Sequence, residues 1–147
     1  MKNFIILISL LVASLAATAQ NNLLFNGDFE QGMVTWFGEG FNVQTSGNNS
    51  FNFIDVETAG QPSDISLRQG INIIEGESYI LTFNAVSDGN RDINVGIGLN
   101  EPPFNSAGEI IALSTQLQQV SIVITAENFG SPNSIVFFDL GSFRISI

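Results

Sequence analysis

The chemistry open to this chain is limited by two residue types that it lacks. Its 147 residues include no histidine and no cysteine, which excludes Ser-His-Asp and Cys-His catalysis, imidazole acid–base chemistry and most zinc sites. Fourteen Asp and Glu residues remain, and a glycoside hydrolase needs two carboxylates about 5–10 Å apart across a groove. Asp139 with Glu39 or Glu109 can be nominated as such a pair. Two kinds of function therefore stay open: carboxylate catalysis, and binding without catalysis.

The elements that must position these side chains are predicted to be β-strands. After residue 19, apolar and polar residues alternate with a period of two, and apolar residues rarely recur at helical spacing. Turn sequences rich in Gly, Asn, Ser and Pro separate the alternating runs. The predicted strands are Asn22–Phe25, Phe41–Ser46, Phe51–Glu57, Asp64–Ile73, Ser78–Val86, Asp92–Leu99, Glu109–Leu113, Gln118–Thr125, Ser134–Leu140 and Phe143–Ile147. About ten short strands predict an all-β fold, a β-sandwich of the jelly-roll type with two antiparallel sheets.

The alternation also assigns the faces of four strands, because successive side chains of a strand point to opposite sides. Together with the single tryptophan it predicts one set of core residues. They are Trp36, Tyr79, Leu81, Phe83, Val95, Ile97, Val120, Ile122, Ile124, Val136, Phe138 and Leu140. Phe137 and Asp139 then point away from the core, and Phe137 is predicted to be an exposed aromatic.

The face of strand Asp92–Leu99 that points away from the core is polar and nearly bare, with Asn94, Gly96 and Gly98. Glycine inside a strand costs stability, so it needs a reason. Either a ligand approaches the backbone there, or the glycines make room for a bulge or a bulky neighbouring side chain. The sequence leaves both interpretations open.

The N-terminus predicts export. Met1 to Asn3 is a short start that carries Lys2, an apolar run follows, and residues 17–19 read Ala-Thr-Ala, a small-x-small cleavage site. We expect a signal peptide at residues 1–19 and a single domain at residues 20–147, secreted to the extracellular space or the periplasm. Without Lys2 the domain has three arginines against fourteen acids, a net charge of −11. Nucleic acid is then an unlikely partner on charge grounds, and no later apolar run is long enough for membrane insertion.

The opening of this domain is its most specific motif. Residues 21–30 read Asn-Asn-Leu-Leu-Phe-Asn-Gly-Asp-Phe-Glu, and Trp36 follows. This resembles the start of the family 4 and 9 carbohydrate-binding modules. The resemblance continues through Gln69, residues 76–85 and residues 138–141, in the order of the family. It implies a jelly roll that binds a neutral polysaccharide or oligosaccharide chain of the β-glucan or xylan class in a groove across one sheet, without cleaving it.

The resemblance also implies binding residues. Phe104, after Gly98 and the two prolines at 102 and 103, matches the family's aromatic platform, although a loop residue folded onto the rim would look the same. Asn94 and Asp139 match positions that point polar groups into the groove, and both would equally suit a solvated surface. Where the family has a second clamp aromatic this chain has Glu39, with Phe37 and Phe41 on either side. Phe137 is a further aromatic candidate.

Relatives hold a structural calcium ion near the opening motif, which implies Asp28 and Glu30 as ligands here. The family's closing Asp-(Asn/Asp)-Val is missing after residue 142. We therefore expect a C-terminus that stops short of the family's pattern, and calcium binding that is weak or absent. The expected partners are a neutral glycan and an associated glycoside hydrolase. The alternative is a structural or adhesion module that binds another protein at a cell surface.

Overall fold

A computed structural model describes residues 21–38, 41–56 and 60–141. The predicted signal peptide at residues 1–19, the clamp position Glu39 and the predicted strand Phe143–Ile147 lie outside the described residues. Within the described part of the chain there is no helix long and apolar enough to cross a membrane.

The described chain is built almost entirely of antiparallel strands. They are β1 (Trp36–Phe37), β2 (Phe41–Ser46), β3 (Asn49–Ile54), β4 (Ser66–Ile73), β5 (Ser78–Ala85), β6 (Arg91–Leu99), β7 (Ser106–Leu113), β8 (Gln118–Thr125) and β9 (Ser131–Asp139). A single turn of 3₁₀-helix, Pro62–Asp64, leads into β4. The predicted bounds of β2 and β8 match the structure, since both strands alternate cleanly and end at turn residues.

The strands form a β-sandwich of the jelly-roll type, as predicted. Five strands make one sheet in the order β1-β4-β9-β6-β7, while β5 pairs with β8 and β2 pairs with β3. Most neighbours in the large sheet are not consecutive in sequence, as β4 and β9 show, and this crossed connectivity distinguishes a jelly roll from a meander.

The core lies between the five-stranded sheet and the β5–β8 pair. All twelve residues predicted to face the core belong to it, seven of them buried and the rest partly buried against the others. Phe83 of β5 meets Phe138 of β9 edge to face, with ring centroids 5.1 Å apart. This contact between the two sheets confirms the register chosen for both strands.

The prediction of a strand at Asn22–Phe25 is wrong, because a side chain takes the place of a neighbouring strand there. Gln69 is only 2% exposed; its Oε1 accepts the Phe25 N–H at 2.8 Å, and its Nε2 donates to the Phe25 carbonyl at 2.8 Å. One buried amide thus satisfies both backbone groups of Phe25, which would otherwise need a partner strand.

Asn26 organises the rest of the opening loop in the same way. Its side chain donates to the carbonyls of Gly32 and Val34, at 2.8 and 3.2 Å, and accepts the Gln31 N–H at 2.9 Å. The indole N–H of Trp36 donates to the Asn26 carbonyl at 2.9 Å. These bonds bring the chain round to β1, a short strand that the sequence pattern missed.

Two strands begin three residues earlier than predicted. β7 begins at Ser106 and β9 at Ser131, where the sequence had indicated loops up to Gly108 and Asn133. Glycine, serine and proline are common in the first residues of both strands, so these residues show no apolar alternation. Long-range pairing decides them instead: Gly108 lies opposite Gly96 of β6, and Ser131 lies opposite Ile73 of β4.

Candidate functional site

The candidate site is the face of the five-stranded sheet that points away from the core, called here the outer face. Its central residues are Ser66, Arg68, Asn94, Gly96, Phe137 and Asp139, from β4, β6 and β9. Strand register sets them out in two rows across the sheet. Neighbouring strands lie about 4.8 Å apart, so each row places side chains from several strands within reach of one ligand.

The first row is polar. Asp139 of β9 lies between Ser66 of β4 and Asn94 of β6, and Ile110 of β7 follows Asn94. The two sequence-predicted polar residues, Asn94 and Asp139, are therefore cross-strand neighbours. Asp139 is only 9% exposed. Its Oδ1 accepts a 2.5 Å hydrogen bond from the Ser66 hydroxyl. Asn94 is partly buried, with no hydrogen bond from its amide to any described residue.

The second row is aromatic at two positions. It runs from Phe37 of β1 through Arg68, Phe137 and Gly96 to Gly108 of β7. Phe37 is 44% exposed at the sheet edge, while Phe137 is on the predicted face but only 8% exposed. The prediction that Phe137 is an exposed aromatic is therefore wrong, although its side of the sheet is correct.

The burial of Phe137 is explained by the bare position beside it. A Cβ on Gly96 would lie 2.7 Å from Cζ of Phe137 and 2.3 Å from the Ala107 carbonyl oxygen. The Phe137 ring thus occupies the space that a side chain on Gly96 would fill. Of the two interpretations of Gly96, close approach of a ligand or room for a bulky neighbour, the structure supports the bulky neighbour. The result is a stretch of sheet without a side chain at Gly96, with the Phe137 ring packed beside it.

Phe104 stands at one end of the outer face, on the loop that joins β6 to β7. Its side chain is 62% exposed. Its N–H donates to the Glu101 carbonyl at 2.8 Å, and its φ of +58° is unfavourable for a bulky residue. Two bonds tie this loop to the start of β9, Asn100 N–H to the Asn133 carbonyl and Asn133 Nδ2 to Glu101 Oε2. A ring held in an unfavourable backbone conformation and turned to solvent is typical of a contact residue.

The structure does not bring the other aromatic candidate, Phe41, to the outer face. Phe41 begins the β2–β3 hairpin and packs partly against the core. Its ring lies close to Gly38, where a Cβ would be 2.7 Å from it. Phe37, two residues after Thr35, is the aromatic of this segment that lies in register with Arg68 and Phe137.

The predicted calcium ligands lie apart from this face, in the opening loop. Asp28 and Glu30 are both exposed, and Asp28 Oδ1 accepts the Glu30 N–H at 3.3 Å. Calcium takes six to eight oxygen ligands. Among the described residues no group of three or more acidic side chains could hold a metal ion, and calcium binding at Asp28 and Glu30 stays a prediction.

Glu109 and Asp139 lie on opposite sides of the sheet. Glu109 is opposite Val95, a core residue, and it lines a cleft of about 410 Å³ between β7 and β8 together with Glu127 and Phe129. Asp139 belongs to the outer face. The two carboxylates cannot flank one glycosidic bond across a groove, which removes this catalytic pair from the carboxylate hypothesis.

Comparison with known proteins identifies the fold and the family. The model of a carbohydrate-binding domain family, numbered 4/9, matches residues 21–141. The chain belongs to this family of carbohydrate-binding modules. The matched residues include both the polar and the aromatic row of the outer face. No curated protein matches the chain.

Three solved structures share the fold at 21% sequence identity each. One is described as "CBM4 structure and function", with a TM-score of 0.65 over 82% of this chain and 90% of that chain. Another is the N-terminal cellulose-binding domain of β-1,4-glucanase C from Cellulomonas fimi, with a TM-score of 0.58 over 74% and 78%. The third is a family 16 carbohydrate-binding module, with 0.53 over 83% and 92%. At this identity they establish the jelly-roll fold of the module.

The sequence reasoning missed Ser66 and Arg68. Both alternate with Leu67 and with the buried Gln69 and Ile71 in β4, so the period-two pattern that found Asn94 would have placed them on the outer face. Gln69, a polar residue, occupies a core position in this strand and interrupts the apolar series that would mark its faces.

Proposed function

We propose that this module binds a neutral polysaccharide of the β-glucan or xylan class along its outer face, without hydrolysing it. One observation carries the proposal: the face combines aromatic rings with hydrogen-bonding side chains in two rows, as in Phe37 beside Arg68 and Asn94 beside Asp139. A sugar ring has apolar faces edged by hydroxyl groups, and planar amides and carboxylates suit those hydroxyls.

Charge supports a neutral ligand. The sequence has four Lys and Arg residues against fourteen acids, so a polyanionic glycan would be repelled at long range. The hydrophobic N-terminal segment supports a secreted protein, and binding without cleavage would serve an associated glycoside hydrolase by holding it near its substrate.

Affinity gel electrophoresis against laminarin, soluble β-1,4-glucan, xylan and mannan tests the proposal, with alginate and a sulfated glycan as polyanions. We expect retardation by at least one neutral β-glucan or xylan and no release of reducing sugar. Tighter binding to alginate would contradict the neutral class, and reducing-sugar release would contradict binding without catalysis.

A matched pair of variants locates the binding face. Asn94→Ala removes an amide from the outer face, and we expect affinity to fall about fivefold, the effect of about 1 kcal/mol for one hydrogen bond. Asn84→Ala removes an exposed amide from β5, on the other sheet, and should leave affinity unchanged. Equal losses in both variants would place binding elsewhere.

The alternative, a module that contacts another protein, has one observation in its favour. Ile80 and Val123 are cross-strand neighbours on the solvent side of the β5–β8 pair, 56% and 64% exposed. A folded protein that binds none of the glycans would favour this alternative, and the Ile80–Val123 pair is the surface to mutate first.

A further inference from the structure

Arg68 lies on the outer face, between Phe37 and Phe137 in its own row. It is one of three arginines in the chain after residue 19. A single guanidinium on a sugar-binding face would ordinarily favour an acidic sugar, because its planar set of N–H donors matches the two oxygens of a carboxylate. The residues of the neighbouring polar row decide whether Arg68 favours an acidic sugar.

A serine hydroxyl joins Arg68 to Asp139. Arg68 Nε donates to Ser66 Oγ at 2.8 Å, and Ser66 Oγ donates to Asp139 Oδ1 at 2.5 Å. Arginine has only donors and a hydroxyl has a single proton, so the direction of both bonds is set. The bonds orient the guanidinium plane and the carboxylate toward each other, one hydroxyl apart.

Each charged group keeps hydrogen-bonding capacity after these bonds are made. In the described part of the chain nothing accepts from the two Nη groups of Arg68, and nothing donates to Oδ2 of Asp139. The outer face thus presents donors from β4 beside an acceptor from β9. Asn94, next to Asp139 in the row, adds an amide that can do either.

We propose that Arg68 and Asp139, positioned by Ser66, select a pair of neutral neighbouring hydroxyls that includes the one on C6, and reject a uronate at this point of the chain. A hydroxyl pair can accept from Arg68 and donate to Asp139 at the same time, whereas a carboxylate can only accept and would meet the Asp139 charge. The inference rests on the proposed function, since it names the sugar groups that the same outer face binds.

The test compares a glucan with its C6-oxidised form, which differs only in carrying glucuronic acid. Laminarin, soluble β-1,4-glucan and their oxidised counterparts are the probes, with affinities measured by calorimetry at low salt. We expect the wild-type protein to bind the neutral glucan at least about tenfold more tightly. In Asp139→Asn this preference should shrink about tenfold, since the repelling charge is gone and the hydrogen bond to Ser66 can persist.

Glu127→Gln is the matched charge control. It removes one negative charge from the cleft between β7 and β8, away from the outer face, so the preference should stay at the wild-type value. An equal shift in both variants would show that only the net charge of the protein matters, and would overturn the proposal.

The positioning role of Ser66 is tested by rescue. Ser66→Ala should lower affinity for the neutral glucan about threefold to tenfold, and Ser66→Thr, which restores the hydroxyl in a strand, should recover it. Ser121→Ala removes a comparable hydroxyl contact, 3.1 Å from Thr82 on the other sheet, and should change nothing. Loss in Ser66→Ala without recovery in Ser66→Thr would contradict a positioning role.

The outcomes separate the two levels of inference. A wild-type protein that binds neutral glucan but shows no preference over the oxidised form, or a preference that Asp139→Asn leaves unchanged, overturns the Arg68–Asp139 assignment alone. A folded wild-type protein that binds none of the four probes nor xylan overturns the proposed function, and the assignment with it.

Discussion

Replacing Phe104 by alanine tests the far end of the binding face. Its side chain is 62% exposed; a phenylalanine offers about 200 Å², so about 120 Å² is open to solvent, of which a stacked sugar would cover about half. About 60 Å² at roughly 25 cal/mol/Å² is about 1.5 kcal/mol. We therefore expect Phe104→Ala to weaken glycan binding about tenfold.

We expect the free energy of unfolding to change little in Phe104→Ala, because an exposed loop side chain contributes little to it. Calorimetry with the best glycan of the panel measures the affinity, and thermal melting measures the stability. Leu117→Ala is the matched control: this side chain is 72% exposed, in the turn after β7, while Phe104 lies in the loop before β7. It should alter neither quantity.

Two results would refute this reasoning. Full affinity in Phe104→Ala would mean that the platform lies elsewhere, with Phe37 as the next candidate. A melting temperature as low as that of Phe83→Ala would mean that the ring belongs to the fold. Phe83 packs edge to face on Phe138 between the sheets, and its truncation should cost about 3–5 kcal/mol.

Three further predictions concern the elements around the site. Gln69→Leu should lower the free energy of unfolding by about 2–4 kcal/mol in urea titrations, because the Phe25 N–H loses its partner and the Phe25 carbonyl keeps only the 3.4 Å bond from the Thr35 hydroxyl; an unchanged midpoint would contradict this. Gly96→Ala should lower both the melting temperature and glycan affinity, since the new Cβ would meet the Phe137 ring, whereas Gly70→Ala, with nothing within 4 Å, should lower neither as much. EDTA should leave the melting temperature unchanged, because the opening loop gathers only two carboxylates; a clear rise on adding calcium would show a bound ion.

Local pattern was enough to predict the fold class and the core. Side chains of a strand alternate, so burial of one face leaves a period-two trace in the sequence that needs no knowledge of the partner strands. Val95, Val136 and Ile122 were placed in the core on this basis alone. The absence of histidine and cysteine likewise excluded whole classes of chemistry without any structure.

Tertiary structure alone decided which polar residues share a site. Ser66 and Asp139 are 73 residues apart in sequence, and only the pairing of β4 with β9 makes them neighbours. The same sheet separates Glu109 from Asp139, because Glu109 lies on the core side of β7. Alternation tells the two faces of one strand apart, but it says nothing about which strands adjoin.

The burial of Phe137 shows the same limit at the level of one side chain. The pattern of β9 correctly turned it away from the core, yet its exposure depended on Gly96 in another strand, against which the ring lies. Directly opposite side chains on neighbouring strands are close enough to cover one another, so the size of a cross-strand neighbour affects exposure. That volume is known only once the register between the strands is known.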